Sequence, residues 1–90
     1  MNSNRRKEID RIMERIDSLI ADLSDIKDSI EVVRDEEQEA LDNLPESMQG
    51  GERGERAQAA IDALEEALSG MEDAESGLGD VKDNLETAKE

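Results

Sequence analysis

Counting in sevens from Ile9 constrains this chain more than any other operation. With Ile9 at position a of a heptad, a recurs at Ile16, Leu23, Ile30, Glu37 and Leu44, and d falls at Ile12, Leu19, Ile26, Val33 and Ala40. Only Glu37 breaks the apolar run, and Met13, Ile20 and Leu41 add apolar residues at e. A 3.5-residue period kept for that long predicts a coiled-coil helix. Restarting at Ala57 gives a second register, with Ala57, Leu64, Met71, Leu78 and Leu85 at a and Ala60, Ala67, Ala74, Val81 and Ala88 at d. Ile61 and Leu68 widen its stripe at e.

Composition agrees with helices and with little else. There is no Phe, Tyr or Trp among the 90 residues, so the aromatic filling usual in compact mixed or sheet domains is missing. Charged residues make up 41% of the chain, a proportion that would mean disorder without the period and means long helices with it. Cysteine and histidine are both absent, which removes disulfides, thiol chemistry, the usual zinc ligands and imidazole acid–base catalysis. No apolar run resembles a secretory signal or a membrane span, so a cytoplasmic protein without membrane contact is expected.

Between the two registers lies "PESMQGGERGERAQAA", residues 45–60. Pro45 disfavours helix at Leu44 and suits the first turn of a new piece, and "PESMQ" is long enough for one such turn. Gly50 and Gly51 supply permissive backbone for a reversal. The expected fold is all-α: a single domain over 1–90, with helices at about 5–44 and 53–88 joined by a turn at about 45–52. Together they form an antiparallel two-helix coiled-coil hairpin. In that hairpin a and d make the seam, the alanines at d allow close approach, and the e residues are left without a partner. One seam is thin for a chain of this size, so assembly of hairpins into a homo-oligomeric helix bundle is expected.

The net charge of −15 is unevenly spread. Residues 57–81 contain seven acids and no base. Positive charge is confined largely to Arg5, Arg6, Lys7, Arg11 and Arg15, and to Arg53 with Arg56 in the break. The first island opposes the helix dipole. It either pairs with Asp80, Asp83, Glu86 and Glu90 at the end of the second arm or binds an anion. Direct nucleic-acid binding is not expected, because no aromatic is available to stack on bases.

In the break, Gly50, Gly51 and Gly54 precede a helix and Arg53 and Arg56 flank them. Backbone N–H groups at a helix start and an arginine fork suit a phosphate or carboxylate, with Ser47 and Gln49 adding hydrogen bonds. The competing reading is an ordinary turn whose arginines pair with Glu46, Glu52 and Glu55. Neither a Walker loop nor a dinucleotide fingerprint is present. Glu37 reads either as a buried carboxylate or as a register-setting residue, and Gly70 and Gly77 either as a close-contact face or as a weak arm. "DEEQE" at 35–39 lacks the spacing of a metal loop and reads as a solvated face. With no base placed to activate a serine and no pocket for paired carboxylates, a non-enzyme without cofactor or metal is expected.

The stretch "RDEEQEALDNLPESMQGGERGERAQAAIDALEEAL", residues 34–68, resembles a segment of small uncharacterised helical proteins of bacteriophages and prophages. The resemblance implies a phage accessory protein in the host cytoplasm, with anti-defence activity by sequestering a nucleotide signal or by binding a host protein. It assigns no residue a role. Besides itself, the expected partners are therefore a small nucleotide-like anion or a basic host protein that the acidic chain engages as a DNA mimic. A purely structural coiled-coil spacer is the remaining alternative.

Overall fold

The structure is a computed structural model that describes all residues, 1–90, as helices α1 (Ser3–Asp42), α2 (Glu46–Gln49) and α3 (Glu52–Ala88), with no strand. Asn2 starts α1 as an N-cap, its side-chain oxygen accepting from the Arg5 N–H at 2.9 Å. Pro45 opens α2, whose single turn is closed by the Met48 N–H on the Pro45 carbonyl at 2.7 Å. No glycine takes a positive φ, so the reversal does not use the left-handed freedom expected of Gly50 and Gly51.

The chain divides into two units: Ile26–Gly70, and Met1–Asp25 with Met71–Glu90. In the first, the end of α1 and the start of α3 form a hairpin closed by the break. Its core is Ala57, Ile61 and Leu68, of which only Ile61, at 1% exposure, is fully enclosed. Ile30, Leu41, Leu44 and Leu64 are half-buried around it. In the second unit Ile9 is buried, and Met13, Ile16, Ile20, Leu23, Met71, Leu78 and Leu85 are half-buried.

Sorted by heptad position, these residues correct the expected seam. In both units the buried columns are a and e. The d column lies outside: Leu19, Ile26, Val33 and Val81 are 47%, 49%, 51% and 44% exposed, and Ala40, Ala60, Ala67, Ala74 and Ala88 are exposed too. Only Ile12 at d is partly covered. The reason is side-chain volume. On α3 the e column offers Ile61 and Leu68 where the d column offers Ala60 and Ala67. Enclosing a Leu or Ile contributes about 1.5–3 kcal/mol, which an alanine does not approach. Charged residues at e do not block this choice, because long stems lie along the seam while their heads reach water. Lys82 and Lys89 do so, with side chains 30% and 27% exposed. Glu75 fits less well, since its Oε1 is buried without a hydrogen-bond partner.

Ion pairs in the Met1–Asp25/Met71–Glu90 unit run opposite to the expected sense. The acids stand on α1 and the bases on α3: Asp17 pairs with Lys82, and Asp10 with Lys89 at 2.7 Å. From the basic island only Arg6 reaches across, its Nε donating to the Lys89 carbonyl at 3.0 Å, where the dipole of α3 is negative. The hydrogen bond to Asp10 raises the Lys89 ammonium above its ordinary 10.5, with the charges of Asp10 and Glu86 assisting and partial desolvation opposing. A raised value in the folded chain means that this pairing stabilises fully below 10.5 and is lost as pH climbs through the folded value. Between pH 9 and pH 11.5 the wild type should therefore lose more helix thermal stability, read by circular dichroism, than Asp10→Asn. Equal losses would remove the pairing from any role in holding the helix ends.

Candidate functional site

The break is the only segment in which glycines, an unpaired arginine and a helix start coincide. Its residues fall into two groups. Gln49, Gly51, Gly54 and Arg56 build the turn. Gln49 Nε2 donates to the Leu44 carbonyl at 3.0 Å, satisfying an orphan acceptor at the end of α1. The Gly51 N–H donates to the Met48 carbonyl at 3.1 Å, and the Gly51 carbonyl accepts from Glu55 N–H at 2.9 Å. Gly54 is buried because the chain crosses close to it, and a Cβ there would stand 1.7 Å from the Gln49 carbonyl oxygen. Arg56 reaches back one turn to Glu52 at 2.5 Å, with both side chains more than three-quarters exposed.

Ser47, Gly50 and Arg53 remain exposed. No ion pair engages the Arg53 guanidinium. It borders a cleft of about 120 Å³ with Glu37, Ala40, Leu41, Leu44 and Ala57. Glu37, at an a position, is half-buried on the wall of that cleft, so its break in the apolar register coincides with the hairpin's end. A broader open depression of about 560 Å³ lies on another side of the break, lined by Gln38, Leu41, Asp42, Gln49, Gly50, Gly54, Glu55 and Gln58. It presents two carboxylates and no cation. Gln38 and Gln58 turn their amides onto acids of their own helices, Asp42 at 3.0 Å and Asp62 at 2.9 Å. Asp42 was not singled out from the sequence, where it looks like any other solvated acid, and Glu55 was considered there only as a partner for the arginines. Only the chain reversal sets them around one depression.

Electrostatics at the start of α3 are mixed. Glu52 and Glu55 occupy its first turn, where they already complement the helix dipole. An incoming anion at this helix start therefore meets Arg53 and also two carboxylates. Elsewhere no group of acids is arranged to hold a metal ion, and no helix is long and apolar enough to cross a membrane. Gly70 and Gly77 have nothing within 4 Å of where a Cβ would stand. On α3 the exposed acids Asp62, Glu65, Glu66, Glu72, Asp73 and Asp80 all fall at b, c or f, away from the seam. Comparison with family models, with curated proteins and with solved structures finds no match to this chain.

Proposed function

We propose that the protein is a non-enzymatic cytoplasmic binding protein that works as a homo-oligomeric helix bundle and holds a small phosphate-bearing ligand, a nucleotide by class, at the break. Arg53 carries this reading. It is the cation of the break that the fold leaves unpaired, and it stands in the first turn of α3, where backbone N–H groups have no partner within the helix. A charge-assisted contact contributes about 1.5–3 kcal/mol, enough to offset part of the repulsion from a chain of net charge −15. Self-association is supported by the uncovered d columns. Such a ligand, taken up by a small phage accessory factor, would be withdrawn from a host defence pathway, in line with the resemblance of residues 34–68.

Calorimetry against mono-, di- and cyclic nucleotides tests the ligand. Arg53→Ala should lose most of the binding, by about tenfold or more, whereas Arg56→Ala should lose little because Glu52 already engages Arg56. No heat with any nucleotide, or equal loss in both variants, would return the break to being a turn. Sedimentation tests the assembly: a species of 10.0 kDa at all concentrations up to about 100 μM, the micromolar range of weak association, would remove it.

A second reading is favoured by the acids at b, c and f of α3, which form one exposed acidic face without a base from 57 to 81. Such a face fits a basic protein surface that normally takes DNA. A host partner recovered on the immobilised protein should then be displaced by duplex DNA and by salt. A partner that duplex DNA leaves in place would sink the mimicry.

A further inference from the structure

We infer that Glu37 and Arg53 read two ends of one ligand, and that the nucleotide held at the break is a guanine nucleotide. The Glu37 carboxylate accepts from N1–H and the N2 amine of the base, and Arg53 takes the phosphate. The inference rests on the nucleotide reading above and adds the base. Both residues line the cleft of about 120 Å³ within the Ile26–Gly70 unit, whose other walls are Ala40, Leu41, Leu44 and Ala57. Glu37 and Arg53 pair neither with each other nor with any other side chain. Glu37 is half-buried and Arg53 is exposed, so the acceptor is the more enclosed of the two charges.

Glu37 interrupts a seam that would otherwise continue. Every other a position of both registers is apolar, and Ile30 and Leu44 stand one heptad to either side of it. A leucine there would enclose apolar surface in place of a half-buried carboxylate that needs a donor. Such a break in a local rule is expected where a ligand supplies the missing partner. The ligand's chemistry follows from the two charges together. For a ligand that is only an anion, Glu37 opposes what Arg53 attracts. A ligand with donor groups as well as a phosphate satisfies both. Among the standard bases only guanine sets two donors side by side, and they match the two oxygens of one carboxylate. Adenine and cytosine place a ring-nitrogen lone pair beside their amine, and uracil and thymine flank their N–H with two carbonyls. Each of these would turn an acceptor toward Glu37. The aliphatic side chains of Leu41 and Leu44 supply an apolar wall for the flat face of the ring, which needs no aromatic residue. The cleft has the bulk of about four waters. It admits the edge of one base and leaves ribose and phosphate outside, where Arg53 is exposed.

Calorimetry with guanosine, inosine and adenosine monophosphates and with pyrophosphate, on the wild type and on Glu37→Gln, tests the assignment. The wild type should bind guanosine monophosphate about tenfold more tightly than adenosine monophosphate. Inosine monophosphate keeps N1–H and lacks the N2 amine, so it should fall between them. In Glu37→Gln the advantage of guanine should fall away, while pyrophosphate should bind more tightly because a repelling charge has gone. A residue that only served the seam would move both in the same direction or neither. Far-ultraviolet dichroism checks that Glu37→Gln keeps its helices. Nucleotide binding without a guanine preference, or a preference undiminished in Glu37→Gln, would overturn the assignment while leaving the phosphate site at Arg53 standing. No heat with any nucleotide would overturn both.

Discussion

Gly54→Ala should be among the most destabilising single substitutions in this chain, at about 3 kcal/mol, although it adds one methyl group to a residue three positions after a flexible-looking "GG". The added Cβ would lie 1.7 Å from the Gln49 carbonyl oxygen, 2.5 Å from its carbon and 2.9 Å from its Cα. All three are backbone atoms, so no side-chain rotation relieves the clash. The path from α2 into α3 has to open, and Gln49, whose amide closes the end of α1 through Leu44, moves with it. Gly70→Ala provides the contrast. Nothing lies within 4 Å of its Cβ position and it sits inside α3, so it should stabilise by about 0.5–1 kcal/mol through backbone entropy and helix propensity. Urea unfolding followed by helix dichroism measures both. A Gly54→Ala protein as stable as wild type would mean that α2 is not held against α3 at all. Because that substitution opens the turn, it cannot test ligand binding, and Arg53 is the position that can.

The two long helices and the single turn between Pro45 and Gln49 were legible in the sequence because each rests on a local signal, the period for the helices and the proline for the turn. The choice of seam was not. Columns a and d of each register are apolar apart from Glu37 and column e is partly so, and a two-helix unit encloses only two of the three. Which two depends on comparing Ile61 and Leu68 with Ala60 and Ala67 while the opposite helix is also present, a comparison no single-helix period contains. The break was misleading for a related reason. Gly54 reads like Gly50 in the sequence, yet one is enclosed by Gln49 and the other is open, and that difference exists only after the chain has turned back. Arg53 and Arg56 look equivalent as well. The i, i+4 spacing to Glu52 engages Arg56 and leaves Arg53 without a partner on its own helix. The direction of the ion pairs was hidden by the total charge: the few lysines of α3, rather than the many acids, meet α1.

Substitution of Ile61 by alanine should cost about 2–5 kcal/mol, a large share of the stability available to a chain of 90 residues. Ile61 is the one side chain fully enclosed, and α3 and α1 close around it with few other contacts able to relax into the space. Val33→Ala removes a comparable volume from the outer column, where half of the side chain is already in water. In a dilute monomer it should cost less than about 1 kcal/mol. Had a and d formed the seam, Ile61 at e would lie outside and Val33 at d inside, so the order of the two costs would reverse, and denaturation of the pair at low concentration separates the two packings. Concentration then adds a second axis. The d column becomes enclosed only when a second copy covers it, so the penalty of Val33→Ala should grow as protein concentration rises through the association range. Ile61 lies inside the hairpin at any concentration, and its penalty should stay constant. A Val33→Ala penalty larger than that of Ile61→Ala in dilute solution would restore the a/d seam. A penalty that stays small at every concentration would leave the outer column without a partner copy.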